Sequence, residues 1–467
     1  MKPLAPVLAE WVSDLRHKAL PSDVVADCRL RLLDIVGLCL AATSLPLGRA
    51  VRKGAKALGE GKAAEMLGYG DRTTAALAGL VNGTLAHGMD FDDTHNASVM
   101  HSSAPVVATA LAAGQEAGID GRALLVAIAA GNELNCRLGM VAPGAFHQPG
   151  LHPTSVLGTA TAALVAGKLL GLKPAALVAA AGISGSQASG ILEAYSDGTW
   201  SKTLHPGWAA HGGIVAAQLA KSGFTGPATV FEGRYGIFRS HVQAEGYDFQ
   251  FKRATTSLGK RWELLENSFK FFPNAHAIHA FVEAALQLRA THGLAAADIA
   301  SVELVVPAHF VGQIAEPREA KLKPRTATHA RASLFYAVAG ALAHGKLDMA
   351  DYTEKAIRKP DVLRLAKRIT HRVSEAPTGA IRFTGHAIIE TKDGRRLEAT
   401  IEDARGTGKR KVGAAEIEAK FRETAGTVVK RDRVERLIEL IGGVEKLSSL
   451  APIFAAARLT PRRSACS

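Results

Sequence analysis

The segment from Ala86 to Pro105, AHGMDFDDTHNASVMHSSAP, concentrates side chains that exchange protons near neutral pH, within an otherwise alanine-rich and glycine-rich chain. Its titratable members are His87, Asp90, Asp92, Asp93, His95 and His101. An ordinary imidazole titrates near pH ~6.5, and crowding can shift the pKa of a carboxylate upward toward that range. The segment is therefore suited to general acid–base catalysis.

Two other interpretations fit the same residue types. Aspartate and histidine also bind Zn, Mn or Fe, so Asp92, Asp93, His95 and His101 could form a metal centre, although DDxH is not a recognised ligand spacing. The segment could instead be a helix-capping loop, with Asp92 or Asp93 accepting from free backbone amides and the histidines in solvent. Residue types alone leave all three interpretations open.

Composition indicates a globular enzyme. The 467 residues suggest two or three domains at about 150 residues each. The four cysteines are scattered without a CxxC motif, which favours a reducing compartment and argues against a disulfide framework or a thiolate zinc site. The N-terminus lacks the pattern of a secretory signal, and no apolar run reaches the roughly 18 to 20 residues of a membrane span. The sequence predicts a cytoplasmic protein that does not enter a membrane.

The net charge of +13 permits an alternative function as an anion-binding or nucleic-acid-binding module. Basic residues cluster at 409–411 and 462–463, but no aromatic residues or basic helix motif accompany them. A solvated loop and tail explain these clusters, and a positive field suits small anions equally well. We expect no nucleic-acid partner.

Helical periodicity dominates the chain up to residue 262. Ser22 is predicted to cap a helix whose buried face carries apolar residues at three- and four-residue intervals. Further helices are predicted at 105–114 and 122–138, with the turn sequence GIDG between them. Glycine and alanine on these helices favour close packing.

The pattern changes after residue 262. Residues 300–308 alternate as in a strand, and residues 379–402 form a predicted hairpin with Asp393 and Gly394 in its turn. The segments SLFYAVAGALAHG and DVLRLAKRIT are predicted helices, and helical periodicity returns from residue 414. We therefore predict a mainly α fold in which residues 1–262 and 404–467 form a discontinuous all-helical domain, and residues 263–403 an inserted α+β lid domain.

Two further positions could contribute to a site. His152 precedes a helix whose first turn holds Thr154 and Ser155, and a helix N-terminus favours a carboxylate ligand. Lys202 lies in a turn near Trp200, where an ammonium can be partly desolvated. His152 alone is more typical of a core or capping histidine, and the alternative for Lys202 is a surface lysine in a turn.

Several stretches in combination resemble the MmgE/PrpD family, and the resemblance spans residues 22 to about 450. They include AHGMDFDDTH, HSSAPVVATALA, HPTSVLGTATAALVAGKLLGL, SKTLHPGWAAHGG, KFFPNAHAIH and FYAVAGALAHG. The resemblance implies a helical domain with an α+β lid, a homodimer, and chemistry on small di- and tricarboxylates without a cofactor or metal. Family activities include 2-methylcitrate dehydratase, cis-aconitate decarboxylase and iminodisuccinate epimerase.

The family's site residues, transferred by motif, form two groups in this chain. Those implied to be catalytic are Asp93, His101, His152 and Lys202, and those implied to bind substrate are Thr94, Lys270 and His276. The chain departs from the family pattern in having Ser102 after the histidine and Ala275 where cysteine or histidine is common. The second departure leaves either His276 or His279 as the group on the lid side.

The three family reactions share proton removal next to a carboxylate, which creates a dianionic enediolate that needs fixed positive groups around it. Lys202, Lys270 and protonated histidines could supply this charge. We expect a dehydration like that of 2-methylcitrate, with epimerisation or decarboxylation as alternatives. We also expect Asp93 to orient or charge His101 as a coupled acid–base pair.

Overall fold

A computed structural model describes residues 2–375, 381–408 and 410–459 of the chain. The basic residues Lys409, Arg462 and Arg463, and Cys466, lie outside these ranges. Most of the described residues are helical, as predicted. The helices of the first half are α1 (Leu4–Asp14), α2 (Ser22–Ala42), α3 (Pro46–Leu58), α4 (Ala75–Ala86), α5 (Ser103–Ala117), α6 (Gly121–Gly139), α7 (Pro153–Leu169), α8 (Pro174–Gly185), α9 (Ala194–Asp197), α10 (Ser201–Lys221) and α11 (Ile237–His241).

Helix α10 crosses α4 and α7 at the centre of this helical region. A Cβ atom at Gly207 would lie 2.2 Å from the carbonyl oxygen of Leu80, and one at Gly83 would lie 2.6 Å from Cα of Gly207. The two backbones can approach only because both positions lack a side chain. The close packing predicted from glycine and alanine is therefore present, and it fixes the N-terminus of α10, which carries Lys202.

Short strands join distant segments of the chain. Strands β1 (Ala64–Glu65) and β2 (Arg72–Thr73) pair with each other, and β3 (Thr94–His95) pairs antiparallel with β4 (Asn267–Ser268). The second pair connects the loop after α4 to the segment that precedes Lys270. Two-residue strands have no periodicity to detect, so the sequence predicts helical segments broken at Gly68–Gly70 over 50–85 and misses the first pair.

The strands of the four-stranded sheet are β5 (Ile299–Val306), β6 (Ile369–Val373), β7 (Gly385–Thr391) and β8 (Arg396–Ile401). Their order in the sheet is β6–β5–β7–β8, with β5 and β6 parallel and the other pairs antiparallel. The accompanying helices are α12 (His279–His292), α13 (Ala308–Ile314), α14 (Arg318–Leu322), α15 (Ala327–Arg331), α16 (Leu334–His344) and α17 (Pro360–Ala366). Helices α12 and α16 pack with the sheet in one apolar core.

The strand at 300–308 and the hairpin around Gly394 agree with the sequence-based prediction, although residues 379 and 380 lie outside the described ranges. The helix predicted through DVLRLAKRIT ends at Ala366, and its last residues begin β6. Only Ile369 is fully buried on this edge strand, so the sequence of β6 lacks the alternation of apolar and polar residues that predicts a strand. Ser22 does not cap α2 either, since no side chain caps that end.

The C-terminal helices α18 (Ala414–Ala425), α19 (Arg431–Gly442) and α20 (Ala451–Ala457) return to the helical region. Ile417 and Phe421 share a core with α2, and Lys420 forms a buried ion pair with Asp34 at 2.7 Å. A discontinuous helical domain would require this packing. The boundaries at 262/263 and 403/404, and the motion implied by a lid, remain predictions.

Within the described residues, no helix alone combines the length and apolar content needed to cross a bilayer. Helices α2 and α3 meet the requirement only as a pair, across a break of 90°.

Candidate active site

The loop between α4 and α5 carries the acidic and histidine-rich segment into the interior of the protein. It leaves α4 at His87, pairs with β4 through Thr94 and His95, and enters α5 at Ser103. Asp90 adopts φ +51° and Val99 φ +54°, a left-handed conformation uncommon for residues other than glycine and unfavourable for a β-branched one. Strained residues held in place by their surroundings concentrate at functional sites. The backbone conformation of this loop, as well as its composition, therefore makes it a candidate functional site.

Asp90 lies between two buried ammonium groups. Lys202 Nζ is 3.1 Å from Oδ2 of Asp90, and Lys270 Nζ is 2.5 Å from Oδ1 and 2.9 Å from the backbone oxygen of the same residue. Burial alone would raise the pKa of Asp90, but Lys202 and Lys270 outweigh it and hold that pKa well below its ordinary value. Asp90 is therefore a permanent anion that fixes the two cations.

Asp92 connects two histidines beside these cations. His87 Nδ1 lies 2.7 Å from Oδ1 of Asp92, and His87 Nε2 lies 2.8 Å from Nζ of Lys202. Burial lowers the pKa of His87 to about 4, so at neutral pH its Nδ1–H donates to Asp92 and its Nε2 accepts from Lys202. Although burial opposes it, contact with His87 and His101 lowers the pKa of Asp92.

His101 faces the same carboxylates. Its Nδ1 donates to the backbone oxygen of Asp93 at 2.9 Å and lies 3.3 Å from Oδ2 of Asp92, while its Nε2 lies 3.8 Å from Oδ1 of Asp90. The backbone amide of His101 donates to Thr154 Oγ1 at 3.0 Å, which positions the ring beside the first turn of α7. Nε2 of His101 is thus available for proton transfer inside the cavity.

The structure does not pair the carboxylate of Asp93 with His101, contrary to the sequence-based expectation. That carboxylate accepts from the backbone amide of Ser103 at 2.9 Å and from its hydroxyl at 2.5 Å, and lies 3.2 Å from Arg31. Arg31 also donates to the backbone oxygen of Asn267, at 2.8 Å. The carboxylate of Asp93 therefore stabilises the start of α5 and, through Arg31, the β3–β4 pair. Asp92 is the aspartate whose carboxylate lies next to Nδ1 of His101.

The remaining predicted residues surround a small cavity. Those that line it are Thr94, His101, His152, Lys202 and His276, together with Asp90, Tyr195 and Gln313. Lys270 does not line the cavity, but its ammonium contacts Asp90, which does. Of the two candidates on the sheet side, His276 lines the cavity, and His279 packs beside it at a ring-centroid distance of 5.1 Å.

Several polar atoms of the cavity have no partner within the described residues. Both ring nitrogens of His276 and the hydroxyl oxygen of Thr94 are buried without a hydrogen bond. His152 Nδ1 contacts Nδ1 of His205 at 2.9 Å, and burial lowers the pKa of both rings, that of His205 to about 3. Since buried polar groups are nearly always satisfied, these atoms are the expected contacts of a polar ligand.

The metal centre suggested by the sequence is not assembled. His95 Nδ1 lies 2.9 Å from the hydroxyl of Ser98, and the carboxylate of Asp93 faces Arg31. A different set could hold an ion, because ligand atoms of His87, Asp90, Asp92 and His101 all lie within 4.8 Å of one another. Two ammonium groups already contact Asp90, however, and their charge opposes a divalent cation there.

Sequence reasoning overlooked part of the site. His87 and Asp90 belonged to the segment singled out by composition but were not assigned roles, and Tyr195 and Gln313 stood in no motif. A signal existed only for Asp90, as the first acid of DFDD. The side chains of adjacent aspartates point in different directions, and residue type alone does not say which one faces the cavity.

The buried histidines predict a marked loss of stability in acid. The pKa is about 4 for His87 and about 3 for His95 and His205, each lowered mainly by burial. In the unfolded chain these rings titrate near ~6.5, so the unfolded state binds more protons as pH falls below that value. We expect the free energy of unfolding to fall by several kcal/mol between pH 6.5 and 4, at ~1.4 kcal/mol per pKa unit and group.

Urea denaturation at pH 7 and pH 4.5 measures this loss. Asp34 and Glu133, whose pKa values are raised by burial, act in the opposite direction. A midpoint that stays constant between the two pH values would mean that the histidines are not neutral and buried as described.

Comparison with known proteins agrees with this architecture. The model of the MmgE/PrpD N-terminal domain matches residues 7–250, and that of the MmgE/PrpD C-terminal domain matches residues 272–446. The cis-aconitate decarboxylase-like protein oryM of Aspergillus oryzae is 26% identical over 467 residues, covering 96% of both chains. Cis-aconitate decarboxylase of Aspergillus terreus is 26% identical, with 96% of this chain and 94% of the relative covered. The human cis-aconitate decarboxylase is 27% identical over 461 residues, with 96% and 93% covered. With both domain models matched in order across most of its length, the chain belongs to the MmgE/PrpD family.

Proposed function

We propose that the protein is a lyase that transfers a proton at the carbon next to a carboxylate of a small di- or tricarboxylate, without a metal or cofactor. The observation that carries this proposal is the cavity lined by Lys202, Asp90 and the imidazole of His101, in which the carboxylate of Asp90 contacts Lys202 and, on its other side, Lys270. The ammonium groups would stabilise negative charge on the substrate carboxylate as it becomes an enediolate. His101 would exchange the proton.

Decarboxylation of a cis-aconitate-like acid is the first reaction to test. Two relatives of similar length are named cis-aconitate decarboxylase, and a third is named as a protein like it. The reaction breaks the bond from a methylene carbon to its carboxylate and releases carbon dioxide. The electron pair forms a new double bond, and the old double bond takes up a proton at the carbon next to another carboxylate. That last step is the one to which His101 and the lysines are suited.

Incubation with cis-aconitate, 2-methylcitrate and iminodisuccinate, followed by NMR of the products, tests this proposal. The expected result is consumption of cis-aconitate and formation of an unsaturated dicarboxylate with one carbon fewer. Dehydration of 2-methylcitrate alone would restore the original expectation. Elemental analysis and assay after chelator treatment accompany the measurement, and activity that requires stoichiometric metal would contradict the cofactor-free mechanism.

We further propose that the protein is a homodimer in which α10 contributes to the interface. Trp200, Leu204 and Trp208 are 44%, 38% and 38% exposed and recur every four residues, so they form one apolar stripe on the outer face of the helix. A second copy of the chain would cover this stripe. Light scattering is expected to show a dimer for the wild type and a monomer for Trp208→Glu, and a wild-type monomer at micromolar concentration would contradict the proposal.

A further inference from the structure

Arg331, at the end of α15, lies in the interior without a partner for its charge. Its side chain belongs to a residue only 7% exposed, and its Nε has no hydrogen bond within the described residues. No carboxylate of the described chain lies within ion-pair distance of it, and its nearest aromatic contact is Tyr352, with 5.7 Å between the guanidinium carbon and the ring centre. A buried unpaired cation costs free energy, so its presence requires an explanation.

Arg331 faces a compartment next to the cavity described above. This second compartment shares Asp90, Tyr195 and Lys202 with the first as common walls. His329 also lines it, and both of its ring nitrogens are buried without a partner. Burial lowers the pKa of His329 to about 4, so the ring is neutral at pH 7 and offers one N–H donor. Both unpartnered side chains therefore face the same space.

Ion pairing indicates the sign of the missing ligand. The other buried cations near the two compartments, Lys202, Lys270, Arg31 and Lys420, each lie within ion-pair distance of a carboxylate. Arg331 is the one cation of this group without such a carboxylate among the described residues. A guanidinium presents parallel N–H donors that match the two oxygens of a carboxylate. A carboxylate would satisfy the charge and the donors together.

We propose that Arg331, assisted by His329, binds a carboxylate of the substrate remote from the carbon that exchanges its proton. A substrate extending from His101 past Lys202 would place one carboxylate at the lysines and another at Arg331. Arg331 thereby selects di- and tricarboxylates over monocarboxylates. This inference rests on the proposed function, because it assigns one end of the same substrate.

Calorimetric binding of cis-aconitate and of crotonate, an unsaturated monocarboxylate, tests the assignment in Arg331→Gln. The affinity for cis-aconitate should fall about 100-fold, in keeping with loss of charge-assisted hydrogen bonds, and the affinity for crotonate should change less than about threefold. Arg331→Lys, which retains the charge without the paired donors, should be intermediate. Arg325→Gln is the matched control, because it removes an exposed arginine from the same segment.

Thermal unfolding of the ligand-free variants separates binding from structure. Because Arg331 has no partner, Arg331→Gln should unfold at or above the wild-type temperature. A clear decrease would make Arg331 a structural residue and overturn the inference, as would equal losses for cis-aconitate and crotonate or an unchanged affinity for cis-aconitate. If the wild type binds no polycarboxylate at all, the proposed function fails first, and that outcome is distinguishable from failure of the Arg331 assignment alone.

Discussion

Replacing Lys202 with alanine is expected to lower kcat by about 10³-fold, the upper part of the range for removing one fixed donor to a developing oxyanion. Lys202 contacts both Asp90 and His87, at 3.1 and 2.8 Å. Without it, Lys270 is the one ammonium left in contact with Asp90, whose carboxylate lines the cavity. The excess negative charge would repel an enediolate where the wild type stabilises it. Steady-state kinetics on the substrate identified by NMR measures the loss.

The matched control is Lys221→Ala, which removes an exposed lysine from the other end of α10 and should leave kcat unchanged. Circular dichroism and thermal unfolding establish that Lys202→Ala is folded. Alkylation of the cysteine in the Lys202→Cys variant with bromoethylamine restores an ammonium at nearly the same position. This treatment should recover part of kcat. A folded Lys202→Ala enzyme with most of its activity would remove Lys202 from the mechanism.

Replacing His101 with glutamine is expected to lower kcat by about 10³-fold, because it removes the imidazole that exchanges the proton. His101 is the imidazole that lies between Asp90 and Asp92 and lines the cavity. Asp92→Asn removes the carboxylate 3.3 Å from its Nδ1, so this variant should lower kcat as well. Steady-state kinetics measures both effects.

Asp93→Asn distinguishes the structural assignment from the sequence-based one. Because the carboxylate of Asp93 is paired with Arg31 and Ser103, its loss should lower the free energy of unfolding by about 3 kcal/mol. An Asp93→Asn enzyme with unchanged stability and a greatly lowered kcat would return the acid–base role to Asp93. A wild-type kcat in His101→Gln would transfer proton exchange elsewhere, with His152 as the first candidate.

Those parts of the fold with a strong local pattern were predictable from sequence. The helices at 105–114 and 122–138 and the hairpin at Gly394 have periodicity or turn residues that few other structures accommodate. Strand β6 was not predicted, because an edge strand with one buried residue shows no alternation of apolar and polar residues. Strands β3 and β4 are two residues long and form only because distant segments meet, which no local pattern records.

The same distinction applies to the site. Lys202, Lys270 and His101 could be selected because the family resemblance implies them by motif, and they are the cations and the imidazole that the proposed chemistry requires. The choice among the three aspartates depends on the left-handed backbone at Asp90 and on the pairing of Thr94 with Ser268, which turn adjacent side chains to different surroundings. Arg331 stands in no motif and becomes notable only when the structure shows that it is buried without a partner.

Hydrogen exchange into the product is the most direct test of proton transfer next to a carboxylate. Metal-free enzyme turning over cis-aconitate in D₂O should introduce one deuterium at the carbon adjacent to a remaining carboxylate, as seen by proton and carbon NMR. Lys202→Ala and His101→Gln should lose incorporation and turnover together. Product that forms at the wild-type rate without deuterium at that carbon, or only after metal is added, would contradict the mechanism proposed for this site.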